Sequence, residues 1–181
     1  MVCPEMRTTF NFDWIDERLA VGGSFPMEAA EQLARRERIG AVVDLRIECC
    51  DDESVLRVHG LELLHLPTED CCAIDPRMID DGVAWVRSRM EAGKRVLVHC
   101  EHGIGRSALL ALCTLVAGGS EPLDAMNRLK AGRPVSAPAA EQIQAFRGWV
   151  GRWKQRTGAE WQVPSFDAIA WVAYAHLRTA G

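Results

Sequence analysis

The 181-residue sequence contains no uninterrupted apolar run approaching the roughly 18 residues of a membrane span. Its most apolar stretch, Ala108 to Ala117, has only the length of a buried helix. It also lacks basic runs and basic residues interleaved with aromatics. With a net charge of −4 and a pI near 5.7, no nucleic-acid partner is expected. The opening residues, MVCPEMRTTFNFDW, hold no apolar h-region, so no signal peptide is expected. No Cys-x2-Cys pair or matching histidine spacing occurs, so no zinc site is expected. Internal repeats and low-complexity tracts are missing as well.

Seven cysteines are present, an odd number that includes the vicinal pairs Cys49-Cys50 and Cys71-Cys72. That is a poor disulfide framework and suits a reducing compartment, so a cytoplasmic location is expected. Hydrophobic residues make up 48% of the chain and charged residues 25%, an ordinary globular balance. The length suits one domain, or one domain with a short appendage. We read residues 1–156 as the domain and 157–181 as a helical extension packed on it, because the pattern changes around Thr157-Gly158 and a helix resumes over Phe166–Leu177.

Apolar β-branched runs predict strands at Leu19–Gly22, Ala41–Leu45, Leu61–Leu66 (ended by Pro67) and Arg95–His99. Helical spacing predicts helices over Met27–Arg38, Asp51–His59, the stretch opened by Pro76 and closed by Gly93, Ser107–Ala117, Pro122–Ala131 and Ala139–Gln155. Strands alternate with helices. The expected class is therefore α/β, a central, mostly parallel sheet flanked by helices. Ligands on such sheets bind outside the carboxyl ends of the strands.

One such end carries the most informative segment, Val96-Leu97-Val98-His99-Cys100-Glu101-His102-Gly103-Ile104-Gly105-Arg106-Ser107. It reads strand, glycine-bearing loop, helix, with Cys100 and Arg106 in a C-x5-R spacing. A phosphate dianion needs many donors converging on a small space. The backbone N–H groups of Glu101, His102, Gly103, Ile104 and Gly105, in a loop that opens a helix, supply them. Gly103 and Gly105 let the backbone curl inward. Arg106 clamps two phosphate oxygens in a planar fork that lysine lacks. Cys100 at the mouth of this electropositive nest is placed as a nucleophile, since such fields favour thiolates. Ser107 is placed to donate to the sulfur when it leaves, and His99 to hold loop backbone. A chance C-x5-R would not carry the strand, the two glycines, Arg-Ser and the apolar helix in one frame.

The run HCEHGIGRS resembles the His-Cys-x-x-Gly-x-x-Arg-Ser/Thr signature of the protein tyrosine phosphatase superfamily, within its small dual-specificity-like branch. The resemblance extends over roughly residues 8–155. It implies a dual-specificity phosphatase-like fold, a phosphocysteine intermediate, and no metal or other cofactor. Low-molecular-weight relatives with C-x5-R are excluded because their acid follows the cysteine, and rhodanese-like domains because they lack the Gly-x-Gly-Arg-Ser continuation. Expelling an alcohol or phenol needs a proton donor, and Glu69, Asp70 and Asp75 are the candidates. The family's acid follows a strand ending in Leu-Pro, about thirty residues before the cysteine, which selects Asp70. Arg133-Pro134-Val135-Ser136 resembles the segment that backs the phosphate loop. Ala137, Pro138 and Ala139 follow where many relatives place an asparagine. Asp44 and Arg46 are expected to be structural partners; Gln142 is expected to lie on a solvated helix face, with the positioning of water as the second reading.

No lysine lies between Cys100 and Arg106, and Glu101 is acidic. This disfavours polyanionic substrates. The expected partner is a phosphorylated protein or a small phosphomonoester, and a free phosphate or sulfate ion should fit the loop. A dual-specificity or tyrosine protein phosphatase ranks first. A lipid, sugar or nucleotide phosphatase of the same fold ranks second, and a phosphate-reading module that has lost its chemistry third.

Overall fold

The computed structural model describes residues 9–178; Cys3 lies outside them. Five strands form one sheet: β1 (Phe12–Trp14), β2 (Leu19–Gly22), β3 (Ile39–Arg46), β4 (Glu62–Thr68) and β5 (Arg95–His99). Their spatial order is β1-β2-β5-β3-β4. The β2–β5, β5–β3 and β3–β4 pairs are parallel, and β1 alone runs antiparallel, against β2. The mostly parallel sheet expected from the alternation is therefore present. The sequence pattern missed β1, because three half-buried residues are too few to show a period.

Side chains alternate across the sheet, apart from a register shift between Ile39 and Ala41. Val96 and Val98 enter a larger core cluster and Leu97 a smaller one. Val43 and Leu45 oppose Val42 in the same way, as Leu19 and Val21 oppose Ala20. Both faces are covered, which is why these strands read as continuous apolar runs. The smaller cluster is roofed by α1 (Ala30–Arg35) and α2 (Glu53–Val58). The larger is roofed by α3 (Pro76–Glu91), α4 (Arg106–Ala117), α5 (Pro122–Gly132) and α6 (Ala140–Thr157). Beyond them lie α7 (Phe166–Ala173) and α8 (Ala175–Arg178). Fully buried Ile169 and Ala173 seat α7 on α5 and α6.

Three elements differ from expectation. The first helix is a 3-10 turn at Met27–Ala29 continued by α1, and Arg38 turns the chain into β3 with φ 57°. Strand β4 runs through Pro67 instead of stopping before it. It lies at the sheet edge, where a residue without an N–H interrupts no ladder on its open side. The last helix breaks at Tyr174, whose hydroxyl donates to Pro138 O at 2.7 Å.

The loop between β5 and α4 is held at its first turn. Cys100 N donates to Gly22 O at 3.3 Å, and Ser24 N to Glu101 O at 3.0 Å. Gly103 adopts φ 70° with its back against Gly22-Gly23; a Cβ there would sit 2.3 Å from the Gly22 carbonyl carbon and 2.6 Å from Gly23 N. Both neighbours are backbone and cannot rotate aside. Adding left-handed strain to this overlap, Gly103→Ala should lower the unfolding free energy by about 2–4 kcal/mol. Urea titration followed by tryptophan fluorescence checks this; a change within about 0.5 kcal/mol would show that the loop is not locked against Gly22.

Candidate active site

The carboxyl ends of three parallel strands deliver the candidate residues to one place. Glu48 follows β3, Asp70 follows β4 and Cys100 follows β5. This is the crevice position that open parallel sheets favour for ligands. Residues from Asp70 to Gln142 enclose a cleft of about 170 Å³, lined by Asp70, Cys71, Cys100, His102, Ile104 and Gln142 among others.

Cys100 is 2% exposed. Its Sγ accepts the Gly103 N–H at 3.3 Å and lies 3.5 Å from Ser107 Oγ. Helix α4 begins at Arg106 with no side-chain cap on its first amides. The amides of Glu101, His102, Ile104 and Gly105 donate to no backbone acceptor among the described residues. Sulfur thus sits at the positive end of a buried helix, beside a ring of uncommitted donors. Cys113 lies away from the loop, fully buried in the core, and burial pushes its thiol well above the ordinary range.

Arg106 is 1% exposed, and such a charge must be partnered. Its Nη1 and Nη2 each donate to Glu48 at 2.8 Å, and Nη1 also donates to Thr68 O at 2.8 Å. A guanidinium has five N–H groups in a fixed plane. The two left over, Nε–H and the second Nη2–H, share one edge. Nε is buried without a hydrogen-bond partner, with Asp70 Oδ1 3.4 Å away. The free edge of the fork is the arrangement a bidentate oxyanion would complete. The hydrogen bond from Arg106 holds the Glu48 carboxyl down to about 2, and the Arg106 pKa rises in return, led by the same bond.

Other side chains brace the loop from behind. His99 is fully buried, with Nδ1 3.3 Å from Cys100 O and Nε2 2.7 Å from Asp51 Oδ2. Arg46 binds Asp44 through two nitrogens and Asp51 at 2.7 Å. Burial opposes the Asp44 charge, but the bonds from Arg46 outweigh it and keep its pKa below the ordinary value. Asp44, Asp51 and His99 lie close enough together to share a cation, but Arg46 already donates to both carboxylates. Arg133 Nε donates to Gly103 O at 2.7 Å and Nη2 to His102 O at 3.1 Å, while Asp13 and Asn11 hold its far side.

Of the acid candidates, Asp70 alone reaches the Arg106 fork. Asp75 is the N-cap of α3 and accepts from Arg77 N and Met78 N. Glu69 faces the Cys72 thiol at 3.9 Å. His102, Ile104 and Gly105 line the cleft, whereas the Glu101 carboxylate turns aside to Ser24 and Arg46. Gln142 is not solvated: it is fully buried, its Oε1 accepting from Ala139 N and its Nε2 donating to Cys72 O. Ser136 Oγ is buried without a hydrogen-bond partner. Sequence reasoning missed Glu48 and Asp51. Their only signal was position, just past the carboxyl end of β3.

The comparisons with known proteins agree on this architecture. Residues 21–120 match the family model described as Tc-R-P, polymorphic toxin system, DSP-PTPase phosphatase. The crystal structure of Tk-PTP in its active form is 26% identical with a TM-score of 0.72, covering 78% of this chain and 97% of that one. Human DUSP28 (20% identity, TM-score 0.71) covers 80% of this chain and 99% of its own. PTPMT1 in complex with PI(5)P (19%, TM-score 0.75) covers 80% and 97%. The last two share the fold. Matched over more than half its length by one family model, the chain belongs to the DSP-PTPase phosphatases of polymorphic toxin systems, and is a cysteine phosphatase, a phosphoric monoester hydrolase.

Proposed function

We propose that Cys100 attacks the phosphorus of a phosphomonoester and that Asp70 protonates the leaving oxygen. The observation that carries this reading is the buried, unpartnered Arg106 Nε beside both Asp70 and the Cys100 loop. Phosphate oxygens fill the free edge of the Arg106 fork and the uncommitted amides of 101–105. The sulfur–phosphorus bond forms as the ester bond breaks, and the proton from Asp70 goes to the departing alkoxide or phenoxide. Water then attacks the phosphocysteine, giving its proton back to Asp70 and releasing phosphate. Ser107 Oγ donates to the sulfur as it leaves.

We further infer a phosphorylated protein as the substrate, in the manner of tyrosine or dual-specificity enzymes. The cleft, at about 170 Å³, is smaller than the roughly 300–1,000 Å³ of sites that engulf whole small molecules. Glu48, Asp70 and Glu101, each at least two-fifths exposed in the side chain, make its surroundings acidic. That surface favours one phosphoryl group on a neutral or basic neighbour over a polyphosphorylated headgroup. No helix among the described residues is long and apolar enough to cross a membrane. The six described cysteines are all free, which supports a reducing, cytoplasmic setting.

Cys100→Ser should abolish p-nitrophenyl phosphate turnover; surviving turnover would overturn the mechanism. Asp70→Asn should slow alkyl phosphates by about 10²–10⁴-fold and p-nitrophenyl phosphate much less, because its leaving group needs little protonation. Phosphopeptides should be hydrolysed with higher kcat/KM than phosphoinositides or nucleotides; the reverse order would reassign the substrate to those classes.

Glu48→Gln should lower kcat/KM by about 10- to 100-fold, the scale of a hydrogen bond to a charged group. It also carries a pH signature. The Glu48 pKa falls from 4.5 to about 2 on folding. Its stabilisation is therefore present above the unfolded pKa and lost as pH falls through the folded one. The stability gap between wild type and Glu48→Gln, read as urea midpoints, should be constant above about pH 5.5 and shrink towards pH 2.

A further inference from the structure

The loop that carries Asp70 is held at two points by neighbouring residues of a helix far away in sequence. Its chain leaves β4 at Thr68, whose carbonyl is taken by Arg106, and reaches α3 at Asp75, the cap of that helix. Between these ends Ile74 is buried in the larger core and Cys72 N donates to Glu69 O at 3.3 Å, which leaves the largely exposed 69–73 turn to be positioned from outside. Cys71 takes φ 60°, a left-handed conformation that is costly for a residue with a side chain. Midway, Gln142 Nε2 donates to Cys72 O at 3.1 Å, and Ala73 N donates to Glu141 Oε1 at 3.1 Å.

Both grips come from the first turn of α6. Gln142 is fully buried, and its Oε1 accepts the Ala139 N–H, which fixes the amide's orientation. The same side chain packs on the phosphate loop, since a Cβ at Gly105 would lie 2.5 Å from Gln142 Oε1. One residue thereby spaces the acid loop from the phosphate loop. The segment leading into α6 is anchored in turn, by Ala137 N to Ile104 O at 2.9 Å and by Tyr174 Oη to Pro138 O at 2.7 Å.

We propose that Glu141 and Gln142 form a latch that keeps the Asp70 carboxyl over the leaving-group oxygen. They are positioning residues: neither needs to touch substrate, and both act through Asp70. The inference rests on the reading of Asp70 as the acid. Its signature is therefore a change in how rate depends on the leaving group. A loosened acid loop costs most when the departing oxygen needs a proton and least when it does not.

Glu141 is exposed, so its removal leaves the core intact. With the full chain, Glu141→Ala should lower kcat for an alkyl phosphate by about three- to tenfold, the scale of one hydrogen bond, and leave p-nitrophenyl phosphate within about twofold. Glu141→Gln, which keeps an acceptor oxygen, should restore most of the alkyl phosphate rate. In an Asp70→Asn background, Glu141→Ala should have no further effect, because the group it positions is gone. An equal loss on both substrates, or an undiminished loss in the Asp70→Asn background, would overturn the latch. If Asp70→Asn itself leaves the leaving-group dependence unchanged, the assignment of the acid fails, and the latch fails with it.

Discussion

A guanidinium stripped of water must find its hydrogen bonds in the protein, and the Arg106 side chain imposes that demand on the whole site. Its charge is 1% exposed, so removing its partners would strand a buried cation. The partners come from the ends of two different strands, Glu48 after β3 and Thr68 at the end of β4. Satisfying one side chain thus registers the carboxyl edge of the sheet against the start of α4. The planarity of the group does the rest. With three of its N–H groups committed, the other two have a single direction to point, into the loop around Cys100.

The loop itself is braced from two sides by polar networks rather than by apolar packing. On one side Arg46, Asp44, Asp51 and His99 run continuously to the carbonyl of Cys100. On the other, Arg133 grips the carbonyls of His102 and Gly103 from outside, which turns the opposing N–H groups inward. Networks of this kind are rigid when each member is satisfied. Such rigidity suits the proposed mechanism. Donors that already point at the position of the developing charge need no reorganisation during the reaction.

Much of the fold was legible along the chain because its signals are local. The middle of strand β5 and most of helix α4 are apolar on every side, and only elements buried on both faces look like that. Pro67 misled the reading of β4 because edge position, which tolerates proline, is a property of the assembled sheet. Strand β1 left no pattern because it is three residues long. Gln142 looked like a solvated helix residue, since nothing near it in sequence reveals that α6 begins against Cys72 and Gly105. Glu48, Asp51 and Glu141 resembled the chain's many other carboxylates.

By itself the sequence determined the phosphate loop. Cys100, the two glycines, Arg106 and Ser107 lie within eight residues, and their backbone geometry follows from glycine's freedom, the end of a strand and the start of a helix. The resemblance pointed to Asp70, but only tertiary structure brought Asp70 and the unforeseen Glu48 to Arg106. Coulombic and hydrogen-bond pairing depends on separation in space, and parallel crossovers bring together residues that are dozens of positions apart. That is why Asp70 meets Arg106 while Asp75 caps a helix, and why Glu48 holds the fork while Glu101, adjacent to Cys100, turns away to Arg46.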